Sequence, residues 1–326
     1  MTIFPVLTSI LLEKQLGIFI KNKYGLNENY TCKLFRTGIN HTYFLSDNNS
    51  KFVLRVYSYS WRSKAEILEE ISLLNLLKKN GLNVSYPILD KNGDSIQIIS
   101  APEGERYAVL FSFAEGDKVR FINEKNCATI GSLMANMHLV TINKRIDRNN
   151  YSLETLLKLP YEYAESHFSA SLIEMQFLKK MRDELISTFS QIDELNVKKG
   201  VVHMDIWYDN MSITDENEIT IFDFDFCGNG WLIFDVAYFC MQLFFIENDK
   251  KVYEFKLKRF LDAYNSQLKL SESELKLIPS AGMAVWIFYL GVQSRRFDWS
   301  NIFLTENYLK MYVGKMKSWR EYHSKK

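Results

Sequence analysis

Residues Val201 to Asp235 read VVHMDIWYDNMSITDENEITIFDFDFCGNGWLIFD, and the rest of the chain is read outward from them. A short apolar run, Val201-Val202, leads into His203, Asp205, Asp209 and Asn210, crowded within a few positions. The polar turn Thr214-Asp215-Glu216-Asn217 separates these from a second strand-like run, Ile219 to Phe224. That run ends in Asp223 and Asp225, with Gly228-Asn229-Gly230 following. Carboxylates set in apolar, aromatic runs are costly unless they are paired or hold a metal. Two such sites, joined by what reads as a hairpin, predict one constellation. The alternative is a β-hairpin with acidic surface turns, and the joint spacing favours the constellation.

His203, Asp205 and Asn210 fit H-x-D-x-x-x-x-N, the pattern of a kinase catalytic loop, and Asp223-Phe224-Asp225 stands where D-F-G would follow. Phosphoryl transfer needs one carboxylate to orient and deprotonate the attacking hydroxyl. It also needs an amide oxygen and a second carboxylate to hold the Mg2+ ions that bridge the phosphates. Asp205, Asn210 and Asp223 are the candidates for those roles. On these residues, and on Asp235-Val236-Ala237 matching a later D-[IVL]-A, the chain resembles the aminoglycoside phosphotransferase family. That family is kin to choline kinases, some homoserine kinases and a bacterial stress-response kinase. Met204 departs from the glycine of its H-G-D, and a side chain there threatens to crowd the loop.

Composition sets outer bounds. The 326 residues allow one large domain or two, and the 47% hydrophobic and 24% charged fractions are those of a soluble globular protein. Lysines and arginines (40) nearly balance acids (39), so no global charge argues for nucleic acid or a membrane surface as partner. The four cysteines are scattered, with no C-x-x-C, and read as reduced core residues of a cytoplasmic protein. The apolar start lacks a basic leader and is broken by Glu13-Lys14, unlike a signal peptide. Ala281 to Gln293 is the most membrane-like run, but it is too short to span and reads as a buried helix.

Before the central stretch, the pattern predicts a helix over 9–24 ended by Gly25, then strands over 30–36, 42–45 and 51–57. Gly38, Asn40, Thr42 and Tyr43 match the family's G-x-x-N-x-T-Y, which implies a phosphate-covering turn; an ordinary hairpin turn is the other reading. Arg55 falls where a kinase has its V-A-I-K lysine, keeping a fixed charge and a fork for phosphate oxygens, unless it simply faces outward. A helix then runs to about Asn80; the resemblance makes Glu70 the first candidate partner of Arg55, with Glu69 also open, and any of Glu66, Glu69 and Glu70 could be merely solvated. Strands follow near Ile88-Leu89, 96–99 and 107–113, with a turn at Asn92-Gly93. By resemblance, Ser112, Phe113 and Ala114 form the hinge whose backbone meets adenine.

Beyond the hinge the chain reads as mainly helical. His138 reads as a structural histidine, and Asp235 as a carboxylate in the first turn of an apolar helix, bracing the catalytic loop. Ser271 with Glu274 makes a capping box. The expected fold is α+β, two-lobed and protein-kinase-like. Residues 1–113 form a β-rich nucleotide-binding lobe, and 114–326 a helical catalytic and acceptor-binding lobe. The expected activity is ATP- and Mg2+-dependent phosphoryl transfer to a hydroxyl of a small molecule: an aminoglycoside, homoserine or a similar amino alcohol. His203 would brace the loop. Asp225 would assist at the metal or sit exposed beside it. Glu162 and Glu165 could meet a cationic acceptor, Arg295 or Arg296 a carboxylate; all four could equally be surface charges. The alternatives are a protein Ser/Thr kinase and a nucleotide-binding pseudokinase. Asp225 to Asp235 holds no Ser, Thr or Tyr for an activation phosphosite, which weakens the first. The intact trio Asp205, Asn210 and Asp223 weakens the second.

Overall fold

Runs of alternating residues build the N-terminal sheet. β1 (Thr31–Thr37), β2 (His41–Ser46), β3 (Lys51–Val56), β4 (Gln97–Ala101) and β5 (Gly104–Ser112) pair antiparallel in the order β1-β2-β3-β5-β4. One face carries Tyr43, Leu45, Leu54, Val56, Ala108 and Leu110 against Leu16 and Ile20 of α1 (Glu13–Tyr24). On the opposite face the register sets Thr42, Arg55 and Val109 side by side, and Phe44, Val53 and Phe111 beside them. Helix α1 stops at Gly25, whose φ of +67° suits a residue without Cβ. The computed structural model describes residues 4–325. Readings of the first three residues and of Lys326 lie outside that range.

Helix α2 (Lys64–Lys79) opens with a capping box in which Ser63 and Glu66 exchange hydrogen bonds. Its buried face holds Ile67, Ile71, Leu74 and Leu77, and Glu70 lies among them. The strand expected at Ile88-Leu89 is reduced to an isolated bridge between Pro87 and Phe111. The bridge is made by the Ile88 N–H on the Leu110 carbonyl at 2.8 Å and the Ser112 N–H on the Tyr86 carbonyl at 2.9 Å.

Residues through Glu115 make one compact unit, and those from Gly116 onward a second. The second begins with Asp117 bridging Ile213. Gly116 has φ +93°, and a Cβ on it would lie 2.4 Å from the Ile213 carbonyl oxygen, so only glycine fits this crossing. Helix α3 (Glu124–Thr141) is capped by Asn123. A π-helical turn, Glu154–Lys158, runs into α4 (Leu159–Glu165), and α5 (Ile173–Ser190) follows.

The central stretch forms β6 (Lys199–Val202), β7 (Met211–Ile213), β8 (Ile219–Ile221) and β9 (Gly228–Trp231). The hairpin is β7–β8, closed by a turn in which Asn217 takes a φ of +66°. The run carrying Val201-Val202 does not join that hairpin; β6 pairs with β9 instead. The second run also ends earlier than its composition predicts. Asp223 adopts a left-handed conformation, φ +67°, and Phe224–Phe226 coil into a 3-10 turn, so the strand stops at Ile221.

Helices α6 (Ile233–Ile246), α7 (Lys250–Gln267), α8 (Glu272–Arg295), α9 (Phe297–Ser300) and α10 (Glu306–Ser324) complete the unit. Among the described residues, α8 alone is long and apolar enough to cross a bilayer, yet most of it is buried inside the fold. It is a core helix, with Ala281, Ala284, Val285 and Leu290 almost wholly enclosed. All four cysteines are free thiols.

Candidate active site

Val202 pairs with Gly228, so the chain leaving β6 and the chain entering β9 meet at one end of a ribbon. That end carries His203, Met204 and Asp205 on one side and Asp223 to Cys227 on the other. Asp235, one turn into α6, holds the first of these segments. Its Oδ2 accepts the His203 N–H at 2.8 Å, and its Oδ1 accepts the Met204 N–H at 2.6 Å. His138 Nε2 lies 3.0 Å from the same Oδ2, and its Nδ1 lies 2.7 Å from the Tyr264 hydroxyl. Both His138 and Asp235 are fully buried, so this is a structural bracket under the loop.

His203 is also fully buried, and burial holds its imidazole below the usual range, in the neutral form. Its Nδ1 accepts the Asp205 N–H at 3.2 Å, which puts the proton on Nε2, 3.2 Å from the Phe222 carbonyl. The ring therefore ties the loop to the strand end that precedes Asp223, and it packs on Phe224 with centroids 4.3 Å apart.

Met204 has a φ of +70° with its side chain fully buried. This left-handed turn explains the family preference for glycine at the position. A side chain there costs about 1–2 kcal/mol of backbone strain, and burying a methionine offsets a comparable amount. The crowding expected from Met204 is thus absorbed into the core beneath the loop.

The turn presents Asp205, which is half-buried. Asn210 Nδ2 donates to its Oδ2 at 2.7 Å and to its backbone carbonyl at 3.1 Å. The Tyr238 hydroxyl donates to Oδ1 at 2.9 Å. Burial, and next the charge of Asp223, push the Asp205 carboxyl up to about 8, against hydrogen bonds from Tyr289, Tyr238 and Asn210 that pull it down. Asp223 itself is half-buried beside it. Asp225 is only 3% exposed, which corrects the alternative in which it sits exposed beside the metal. Its segment is pinned instead, Arg148 donating to the Asp225 carbonyl and Tyr151 to the Phe226 carbonyl.

The donor set bears on which metal this end can hold. With its amide nitrogen committed to Asp205, Asn210 presents its oxygen, and Asp223 adds a carboxylate. No group of three or more His, Cys, Asp or Glu side chains among the described residues could hold a metal. A set of two oxygens fits a hard cation that keeps waters and takes further ligands from phosphates, as Mg2+ does, and does not fit an all-protein zinc cage.

In the first unit, Arg55 Nη1 lies 2.8 Å from Glu70 Oε1, and the Tyr57 hydroxyl donates to Oε2 at 3.1 Å. The guanidinium also packs over the Phe111 ring, 5.1 Å from its centroid. Of the three candidate glutamates, Glu70 is the one Arg55 pairs with; Glu66 closes the cap of α2. Gly38 donates to the Asn40 carbonyl at 3.1 Å, and the Asn40 side-chain oxygen accepts the Ser58 N–H at 3.2 Å. That oxygen therefore shapes the turn. Ser112 donates its N–H to Tyr86 and accepts the Ser85 hydroxyl on its carbonyl. Ala114 is buried, while Phe113 packs edge-on against Phe44 with Lys51 over both rings.

Sequence reasoning missed Tyr238, Tyr289 and Tyr57. Tyr238 had a local signal, since it follows Asp235 by one helical turn and shares its face. Tyr289 and Tyr57 had none.

Comparison with known proteins bears on the family and the fold. The sequence model of the family described as "Phosphotransferase enzyme family" matches residues 31–269. A homoserine kinase of Bradyrhizobium diazoefficiens is 28% identical over 86% of this chain and 83% of its own length. One from Agrobacterium fabrum is 27% identical over 89% of this chain and 86% of its own. Among solved structures, an amicoumacin kinase with AMP-PNP and Ca2+ superposes with a TM-score of 0.77 at 23% identity, covering 95% of this chain and 93% of that one. A microcompartment-associated aminopropanol kinase gives 0.76 at 18%, over 94% and 95% of the two chains. These structures share the kinase-like α+β fold. The chain belongs to the phosphotransferase enzyme family and is a small-molecule kinase with an alcohol group as acceptor.

Proposed function

We propose that the protein transfers the γ-phosphoryl group of ATP, with Mg2+, to the hydroxyl of a small amino alcohol, homoserine being the first candidate. The observation that carries this reading is the single hydrogen-bonded set of Asp205, Asn210 and His203, with Asp223 alongside. Asp205 accepts the hydroxyl proton as the oxygen attacks the γ-phosphorus, the bond to the bridging oxygen breaks and ADP leaves. Burial and the Asp223 charge raise the affinity of Asp205 for protons, and the positive charge of a metal beside it would lower that affinity again and leave a carboxylate able to take the proton. His203 holds the Asp205 backbone. Asn210 and Asp223 would hold the metal, whose positive charge would offset that of the two neighbouring carboxylates and of the phosphates. Arg55, aimed by Glu70, grips phosphate oxygens. Gly38 and Asn40 shape the turn over them. The Ser112 backbone already has partners, so adenine recognition passes chiefly to Phe113 and Ala114.

Amino-alcohol acceptors are favoured over aminoglycosides for two reasons. Glu162 and Glu165 are exposed on α4 and build no acidic wall. The two homoserine kinases compared above match nearly the whole chain. Of the arginines suggested for a carboxylate, Arg296 is engaged by Asp298 through two prongs of 2.9 Å each, and Arg295 is exposed.

The test is ADP release with Mg-ATP across homoserine, aminopropanol, choline-like alcohols, aminoglycosides, sugars and a generic protein. One amino alcohol is expected to stimulate release. Asp205→Asn should lower that rate by roughly a thousandfold or more while nucleotide binding persists. Stimulation by the protein substrate alone, or an Asp205→Asn variant with undiminished turnover, would overturn the assignment.

A further inference from the structure

We propose that Tyr238, seated by Tyr289, is a positioning residue that fixes the carboxylate plane of Asp205 and so the direction from which the acceptor hydroxyl arrives. This inference rests on the reading of Asp205 as the proton acceptor. The torsion that turns an aspartate carboxylate is broad, with no sharp staggered wells, so the plane must be set by outside contacts. Here both oxygens are held. Asn210 takes Oδ2 at 2.7 Å and Tyr238 takes Oδ1 at 2.9 Å, from elements on either side of the loop. An oxygen that accepts one hydrogen bond keeps one further lone-pair direction. With the plane fixed, the directions from which the acceptor hydroxyl can reach Asp205 are fixed as well.

The phenol is itself rigid. Tyr238 is 4% exposed, and its ring stacks on Tyr289 with centroids 5.5 Å apart and planes 23° from parallel. Tyr289 in turn donates to the Met204 carbonyl at 3.2 Å, the peptide that the left-handed turn leads into Asp205. Helix α6 also supplies Asp235, one turn before Tyr238 and on the same face, which holds the N–H groups of His203 and Met204. One helical turn thus grips three consecutive residues of the loop, two by backbone and the third by its reactive side chain. Packing alone does not account for this, because a phenylalanine would fill the same space without reaching Oδ1.

The experiment compares Tyr238→Phe, Tyr238→Ala and Tyr289→Phe with wild type and Asp205→Asn in the acceptor-dependent assay. Tyr238→Phe is expected to keep the wild-type Tm and the KM for ATP, while kcat falls about 10- to 100-fold. The ratio of phosphorylated acceptor to ADP should fall as well, because a loosened base no longer favours the acceptor over water. Tyr289→Phe should show a smaller loss in the same direction, and Tyr238→Ala should lose Tm in addition. A Tyr238→Phe enzyme within twofold of wild-type kcat, beside an inactive Asp205→Asn, overturns this inference and leaves the phosphotransferase reading standing. A wild type that binds ATP yet phosphorylates no acceptor in the panel overturns that reading, and this inference with it.

Discussion

Two carboxylates, the fully buried Glu70 in the first unit and the half-buried Asp205 in the second, have opposite companions. Glu70 is fully buried in α2 and meets the full positive charge of Arg55 together with the Tyr57 hydroxyl. Asp205 meets the neutral donors Asn210, Tyr238 and Tyr289, and has a second carboxylate beside it. The first arrangement is closed, because removing either partner strands a charge. The second lacks cationic charge among its hydrogen-bond donors, and its proton affinity rises in consequence. On the proposed reading, Asp205 awaits the positive charge that metal and nucleotide would bring, whereas Arg55 is held ready for phosphate throughout.

The largest test of this contrast is to open the closed pair. Glu70→Ala leaves the Arg55 guanidinium in a buried setting with its carboxylate gone, and breaking such a pair costs about 3–5 kcal/mol. Urea unfolding should show that loss, and nucleotide affinity should fall with it, since Arg55 is no longer aimed. Unchanged stability would mean that Arg55 swings into water and that the pair is not closed at all.

The next test concerns the open site, and its sign is set by proton linkage. Asp205 titrates near 8 when folded and near 3.8 when unfolded, so between those values the folded chain binds more protons. Stability at this position therefore falls as pH rises from about 4 to about 8, and levels off above. Asp205→Asn removes that slope. In chelator, its melting temperature relative to wild type should climb between pH 5 and pH 8, with a gain on the order of 2 kcal/mol at the upper end. A gap that stays constant with pH would show that the carboxyl is ionised across the range, its charge already compensated.

How much of this could be read from the chain depends on how local each contact is. His203, Asp205, Asn210 and Asp223 fall inside one stretch, so their spacing alone predicted that they would meet. Glu70 was singled out by resemblance; the structure adds that it lies on the buried face of α2 with Ile67, Ile71, Leu74 and Leu77, whereas Glu66 serves the cap. The pairing of β6 with β9 was not legible, because the left-handed Asp223 interrupts a run whose composition is all strand. The burial of Asp225 was not legible for the same reason; the 3-10 turn that buries it has no apolar periodicity of its own. Tyr289 reaches the loop from α8, far along the chain, and nothing in its neighbours marks it among many aromatics. The turn at Met204 could be suspected only by resemblance, since an apolar residue gives no sign of a positive φ.

A third carboxylate sharpens the contrast with the smallest expected effect. Glu274, at the N-terminus of α8, is as buried as Glu70 and has a cation of its own. Its Oε2 lies 2.7 Å from Lys198 Nζ and 2.8 Å from the Ser271 N–H, and its Oε1 accepts the Lys198 N–H at 2.9 Å. Burial pushes its carboxyl up, but the Lys198 side-chain and backbone hydrogen bonds, that of Ser271 and the Lys198 charge outweigh it and leave it below 4.5. The linkage then runs opposite to that of Asp205. The stabilisation is fully present above about 4.5 and is lost as pH falls through the lower folded value. Glu274→Gln should be less stable than wild type by about 1–2 kcal/mol at pH 7, and the difference should shrink towards pH 3. Asp205→Asn and Glu274→Gln, measured side by side, are thus expected to diverge from wild type with opposite signs at neutral pH. If both moved the same way, burial alone would govern these carboxylates, and the presence or absence of a cationic partner would not be what separates the open site from the closed one.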